Sequence, residues 1–333
     1  MEDQYKIQTL SINHLDQIYM LLNENYISDE SNILTYTYGK DFIKWYLRLA
    51  HPDLIIGLTY HKLLVGLVIG VMVQSGTSKI PYINFLCVHH KLREKGLSKK
   101  LILELETRLE KMGVEKGVFQ LTSGSIEKSS LFTSLPNTVI RIPDITHYVI
   151  PINYAKLKKL EFVTEEKIPE KLSDDNPLHL ISPLDLKEIT YRLNTFTSKA
   201  PLRIHFDANS SNLYLKPRKN ICYSFAKYNG TDPTDFINVY KHYYYVKEHQ
   251  ELITVAQLGF YYMETLTLTE LVTFLLDKLK VCGFDQLVFR QVFLNDTINI
   301  TKFSTYDQST YYVWNNTETK GKISGTGVVW LPF

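Results

Sequence analysis

The sequence predicts an α/β fold of α+β character, a mixed sheet with flanking helices built from two tandem copies of one plan. Three observations carry this. Segments with apolar residues at helical spacing alternate with short apolar runs of strand length. The order helix, hairpin, strand, helix, strand occurs twice, about 170 residues apart. A chain of 333 residues, 44% hydrophobic and 22% charged, has the composition of an ordinary soluble globular protein and the length for two domains. The expected division is 1–160 and 161–333.

The elements follow in order. Asn13 to Asn23 reads as a helix with Leu15, Ile18, Leu21 and Leu22 among its apolar residues, and Asp41 to Leu49 as another with Asp41 near its cap. Leu54 to Tyr60 and Leu63 to Gln74 read as strands around a tight His61-Lys62 turn. Ile83 to Val88 is a buried strand. A helix starting at Leu97 puts Leu97, Leu101, Leu105, Leu109 and Met112 on one face. A strand at Gly117 to Thr122, a Ser-rich loop at Gly124 to Thr133 and a strand at His147 to Ile152 complete the first half. In the second, Leu184 to Arg192 is a helix, and Asn220 to Lys227 pairs with Asp235 to Val246 around Asn229-Gly230. Leu252 to Tyr262 is a strand, Leu268 to Cys282 a helix ended by Gly283, and Gln286 to Val292 a strand.

The chemistry concentrates between strand and helix in the first copy. A helix beginning at Leu97 exposes unpaired backbone N–H groups and the positive end of its dipole, and Lys91, Arg93 and Lys95 crowd the same spot. Such a place suits an anion, and a diphosphate best. Arg93-Glu94-Lys95-Gly96-Leu97-Ser98 fits the R-x-x-G-x-[GAS] pattern of acyl-CoA transferases, in which glycine lets the backbone approach the pyrophosphate. The bland alternative is a solvated basic connection. In the second copy the equivalent turn is Met263-Glu264-Thr265-Leu266, with no glycine and no basic residue, so one cofactor site is expected.

Composition excludes other classes. With 37 basic and 35 acidic residues, the net charge of +2 exerts no long-range pull on nucleic acid. Cys87, Cys222 and Cys282 are odd in number and far apart, and read as reduced thiols of a cytoplasmic protein. Cys87-x-His89-His90 has no second cluster to complete a metal site, so no metal is expected. The start is not a signal peptide, and the apolar run Leu63 to Val73 falls far short of the roughly 20 residues a membrane helix needs, so stable membrane insertion is not expected.

Asn84-Phe85-Leu86-Cys87-Val88-His89, followed by Lys91-Leu92-Arg93, resembles the signature strand of the N-myristoyltransferase family. So do Leu21-Leu22-Asn23-Glu24-Asn25-Tyr26-Ile27-Ser28-Asp29-Glu30-Ser31-Asn32, then Tyr36-x-Tyr38, then Phe42-Ile43-Lys44-Trp45-Tyr46-Leu47-Arg48. Later landmarks are Pro151-Ile152-Asn153-Tyr154-Ala155-Lys156-Leu157 with Phe162, and Lys302-Phe303 with Asp307 and Tyr311-Tyr312. The resemblance implies two fused GNAT-like acyltransferase units in one saddle-shaped sheet, the first holding acyl-CoA and the second supplying most of a peptide groove. It implies a monomer that moves a myristoyl group from myristoyl-CoA to the N-terminal glycine amine of peptides or proteins, without a prosthetic group.

The resemblance also assigns roles. Leu86, Cys87, Val88 and Arg93, Glu94, Lys95, Gly96, Leu97 and Ser98 would hold the donor. Backbone N–H groups of Phe85 and Leu86 would meet the charge on the thioester oxygen, where each such donor is worth about 3 kcal/mol of barrier; their side chains read equally as core. The C-terminal carboxylate, here on Phe333, would take the proton of an amine whose pKa is near 8. The apolar, Pro-stiffened Gly327-Val328-Val329-Trp330-Leu331-Pro332-Phe333 suits a buried tail, though it runs about two residues past the usual end. Asn84 and Thr122 would steer the glycine, or only satisfy strand ends. Tyr26, Tyr36, Tyr38 and Phe162 would line the peptide groove, and Asp29, Glu30 and Asp307 would meet a substrate lysine. Burying a 14-carbon chain at about 0.8 kcal/mol per CH₂ offers on the order of 10 kcal/mol.

Departures stand beside these matches. The family's Lys-Phe-Trp segment over the CoA adenine has no counterpart. Val149 replaces a histidine after His147-Tyr148, and Ser304-Thr305-Tyr306-Asp307-Gln308 keeps only the Asp of a glycine-rich loop. Two alternatives therefore stay open: a different acyl chain or acceptor amine, or a non-catalytic homologue that binds acyl-CoA or peptide.

Overall fold

The computed structural model describes residues 4–26, 33–114, 116–122, 139–141, 145–163, 175–290, 292, 304–314 and 328–331. The chain runs β1 (Tyr5–Thr9), α1 (Leu15–Asn25), β2 (Leu34–Thr37), α2 (Lys40–Leu49), β3 (Ile55–Tyr60), β4 (Leu63–Ser75), β5 (Ser78–Val88), α3 (Leu97–Lys111), β6 (Gly117–Thr122) and β7 (Val139–Arg141). Then come β8 (Ile145–Pro151), β9 (His179–Leu180), β10 (Leu202–Arg203), β11 (Cys222–Asn229), β12 (Asp232–Val246), β13 (Glu251–Tyr262), β14 (Gln286–Arg290), β15 (Ser304–Trp314) and β16 (Val328–Val329). Among the described residues, α-helices at Tyr154–Lys159, Leu186–Phe196, Ala208–Tyr214 and Leu268–Val281 accompany them.

Two compact units result, 1–144 with 309–322 and 145–308 with 323–333. The sequence reading divides the chain at 160. Strand β8 lies in the second unit because Tyr148 and Ile150 bury into its core and every residue from His147 to Pro151 pairs with β14. Residues Ser309–Trp314 of β15 belong to the first unit, where they pair antiparallel with β6.

In the first unit β1, β3, β4 and β5 pair antiparallel, and β5 pairs parallel with β6 after the α3 crossover. The apolar stripe of α3 (Leu97, Leu101, Ile102, Leu105, Leu109) is buried against Leu54, Ile56, Leu58, Val65 and Val68. Close approach of helix and sheet requires Gly66: a Cβ there would sit 3.1 Å from both Leu101 Cδ1 and Leu58 Cβ. The second unit repeats the plan. β12 and β13 pair antiparallel, β13 and β14 pair parallel after the helix Leu268–Val281, and that helix buries Leu268, Leu271, Leu275 and Leu279 against Val239, Ala256, Leu258 and Leu287.

Candidate active site

Strand β5 positions the chemistry. It pairs with β6 only at Tyr82 and Ile83; among the described residues, Asn84 to Val88 have β4 alone as a strand neighbour. A stretch of strand edge without a second strand neighbour among the described residues is thereby left at the point where β5 runs toward α3. The register with β4 shifts at the same place: Leu67 faces Cys87 while Ile69 faces Asn84, so Phe85 and Leu86 together oppose Val68. This is a β-bulge, and Phe85 adopts φ +55° in it.

A phenylalanine with positive φ carries strain of about 1–3 kcal/mol. What holds it there is the ring, fully buried and centred on three tyrosines: Tyr46 at 4.7 Å, Tyr38 at 5.1 Å and Tyr26 at 5.3 Å. Tyr36 stands 5.1 Å from Tyr38, which stacks on Phe42 at 4.8 Å. Burial, helped by the neighbouring Tyr36, pushes the Tyr38 phenol far above its ordinary value, so it stays protonated.

Asn84 ties the bulge to this cluster. Its Oδ1 accepts the Phe85 N–H at 2.8 Å and the Tyr26 hydroxyl at 3.0 Å, which fixes which end of the amide is oxygen. Its Nδ2 is buried and, among the described residues, has no partner. An unsatisfied buried donor costs about 1–3 kcal/mol and asks for an acceptor. Two consequences modify the expected roles. The Phe85 N–H is already engaged, and among the described residues no side chain is set against the Leu86 amide of the bulge. Asn84 offers a donor, which can meet an acceptor such as a carbonyl oxygen.

The turn completes the site. Glu94 and Gly96 have φ of +65° and +72°, and Gly96 is the N-cap of α3 with nothing within 4 Å of where its Cβ would stand. No side chain caps α3 and no acidic residue occupies its first turn. A 15-residue helix thus presents its positive end uncompensated beside Lys95, Lys99 and Lys100. Arg93, expected to face phosphate, is partly committed elsewhere: Nη2 donates to the carbonyl of Asn25 at 2.5 Å, at the C-terminus of α1, and Nε to Val88 O at 3.4 Å. The Asn25 side chain in turn accepts the His90 N–H at 2.9 Å, so α1, β5 and the turn are fastened together.

A cavity of about 360 Å³ opens here, lined by Asn25, Tyr26, Leu86, Cys87, Val88, Leu92, Arg93, Glu94, Leu97 and Ser98. Burial pushes the Cys87 thiol up to about 12, so it stays protonated. Among the described residues no three His, Cys, Asp or Glu side chains gather as a metal site, and no helix is long and apolar enough to cross a membrane.

Of the remaining candidates, Thr122 ends β6 opposite Ser309. Phe162, 37% exposed, and Asp307, on β15, belong to the second unit. Asp29, Glu30 and Phe333 lie outside the described residues.

The second unit contains the same two devices, each closed by its own side chain. β13 bulges opposite β12 between Ile237 and Val239, and the Phe260 N–H there donates to Asn238 Oδ1 at 2.6 Å. The turn Glu264-Thr265-Leu266 aims three N–H groups at Asp235 Oδ1, at 3.1, 3.0 and 2.9 Å, while Thr234 and Thr265 hydroxyls bond Oδ2. Burial alone would raise the Asp235 pKa, but these hydrogen bonds outweigh it and lower it. The helix that follows is sealed by a Thr267–Glu270 capping box. Sequence reasoning found a turn lacking glycine and lysine. The structure adds that an internal carboxylate already fills the anion position.

The sequence pattern of the family described as Myristoyl-CoA:protein N-myristoyltransferase, N-terminal domain, matches residues 1–130. A protein of Acanthamoeba polyphaga mimivirus, assigned by name to the glycylpeptide N-tetradecanoyltransferases, is 39% identical over 94% of this chain and 86% of its own length. Glycylpeptide N-tetradecanoyltransferase 2 of Danio rerio is 28% identical over 90% of this chain and 63% of its own. Among solved structures, Saccharomyces cerevisiae N-myristoyltransferase with bound myristoyl-CoA superposes with a TM-score of 0.81 at 19% identity, covering 98% of this chain and 90% of that one. A GCN5-related N-acetyltransferase from Anabaena variabilis gives 0.54 at 9% identity over 93% and 72%, a likeness of fold.

Proposed function

The chain belongs to the N-myristoyltransferase family, and we propose that it transfers a myristoyl group from myristoyl-CoA to the N-terminal glycine amine of proteins. The observation that carries this is the continuity of one site. The open, bulged edge of β5 runs through a single cavity into an uncapped basic helix start, so an acyl donor can lay its thioester on the strand and its diphosphate on the helix.

In this reading the diphosphate takes the N–H groups at Gly96 to Ser98, helped by Lys95. Pantetheine follows the β5 edge at Leu86 to Val88, where its amides replace the missing strand neighbour. The thioester oxygen, negative once the amine attacks, is met by the Leu86 N–H, with the unpaired Asn84 Nδ2 as a second donor and the Phe85 N–H available if Asn84 lets it go. Thr122 steers the amine, and Tyr26, Tyr36, Tyr38 and Phe162 contact the peptide, with Asp307 toward a downstream lysine. The Phe333 carboxylate is the proposed base; burial of Val328, Val329, Trp330 and Leu331 just before it supports an inserted tail. Action as a monomer in the cytoplasm belongs to the same reading.

Incubation with labelled myristoyl-CoA and a Gly-Asn-x-x-x-Ser peptide tests it. Label is expected on the glycine amine. Label only with another chain length or another amine would change the substrate, and tight CoA retention without transfer would leave a binding protein.

A further inference from the structure

The segment from His89 to Gly96 carries β5 into α3, and its place in the unit is set largely by one residue. Among the described residues, its ties to other elements are the His89 N–H to Val65 O at 2.9 Å and three bonds that converge on Asn25. The Asn25 Oδ1 accepts the His90 N–H at 2.9 Å and bonds the His90 ring Nδ1 at 2.8 Å, and the Asn25 carbonyl accepts from Arg93 Nη2. That carbonyl lies at the negative end of the α1 dipole, where a guanidinium is favoured.

Asn25 is itself fixed. It is buried, and its Nδ2 donates to the Leu21 carbonyl at 3.1 Å, one turn back on α1. A carbonyl can only accept, so this bond settles which end of the amide is oxygen. The Oδ1 therefore faces His90, and the His90 Nδ1 must carry its proton to make the 2.8 Å bond. Although Asn25 lines the 360 Å³ cavity, both ends of its side chain and its carbonyl are used inside the protein. What it gives a bound donor is the location of the turn, not a contact of its own. His90, by contrast, is exposed, so its ring can be removed without disturbing the core.

We propose that Asn25 is a positioning residue for the acyl donor: by holding His90 it sets where the turn presents the Gly96 to Ser98 amides to the diphosphate. The role rests on the acyl-CoA reading of the cavity. Titration calorimetry of the full chain compares myristoyl-CoA with S-myristoylpantetheine, which lacks the diphosphate. Asn25→Leu should bind myristoyl-CoA about tenfold more weakly and His90→Ala about threefold, the worth of two hydrogen bonds and of one. Neither should change the affinity for S-myristoylpantetheine, which also certifies the fold. In the Asn25→Leu background His90→Ala should add nothing, since the ring has already lost its partner. Equal weakening of both donors, undiminished myristoyl-CoA affinity in either single variant, or additive losses in the double variant would overturn the role alone. Should Asn25→Leu not fold, the same comparison of donors in His90→Ala decides. Failure of the wild type to bind either donor would overturn the cavity reading and the role with it.

Discussion

Phe85 gives the sharpest test of how the site is held. Its backbone sits at φ +55°, a region that costs a residue bearing a Cβ about 1–2 kcal/mol relative to glycine, while its ring is fully buried among Tyr26, Tyr38 and Tyr46. Truncation to Ala removes the ring and keeps the strain, so it should destabilise by about 3–5 kcal/mol. Truncation to Gly removes the ring and relieves the strain, offset by about 0.4–1 kcal/mol of extra chain entropy in the unfolded state. Phe85→Gly should therefore be the more stable of the pair, by up to about 1.6 kcal/mol. At Tyr82, a regular position of β5 paired with Val71, the order should invert, with Gly about 0.5–1 kcal/mol worse than Ala. Urea unfolding of the four variants measures both differences. Phe85→Ala more stable than Phe85→Gly, or the same order at both positions, would refute the claim that burial of the ring enforces the bulge.

Three further outcomes follow from the geometry. Asp235→Ala strands three backbone N–H groups and should lower stability by about 3–5 kcal/mol, partly restored by added formate, whereas Asp235→Asn should cost about 1–2 kcal/mol, both read from denaturant midpoints. Gly96→Ala meets no steric obstacle but must hold φ +72°, so calorimetry should find a small stability loss of about 1 kcal/mol and about tenfold weaker myristoyl-CoA, whose diphosphate would approach the new methyl. Burial, reinforced by Arg290, holds both His147 and His242 down to about 3. Since the unfolded state then binds more protons below pH about 6.5, stability should be full above that value and fall on acidification by up to about 1.4 kcal/mol per pH unit for each histidine. His242→Gln should remove one share of that slope in melts between pH 4 and 7.

The parts of the site legible in the sequence are those built from neighbours along the chain. Arg93 to Ser98 needs only its own residues to make a basic turn with a left-handed glycine, and the α3 stripe from Leu97 to Leu109 announces its buried face. The rest depends on partners far apart in sequence. Arg93 donates to the carbonyl of Asn25, and Tyr26 reaches Asn84, across 68 and 58 positions. Nothing local marks Phe85 for positive φ, because the reason lies in tyrosines delivered by α1, α2 and the segment between them. Strand β5 begins at Ser78 rather than Ile83 because the β4–β5 hairpin carries pairing out through the polar Ser78 and Lys79, which an apolar-run reading stops short of. The helix Ala208–Tyr214 is hidden in the sequence for a similar reason: Asp207 and Ser210 cap it, but it is too short to display an apolar period. The Asp235 closure was invisible because thirty residues separate the carboxylate from the turn it fills.

A crystal structure with a non-hydrolysable myristoyl-CoA analogue tests the central claim most directly. The diphosphate should lie within hydrogen-bond reach of the Gly96 to Ser98 amides, with the carbonyl in the thioester position facing Leu86 N–H and Asn84 Nδ2. A donor seated elsewhere, or one leaving those groups unused, would contradict it.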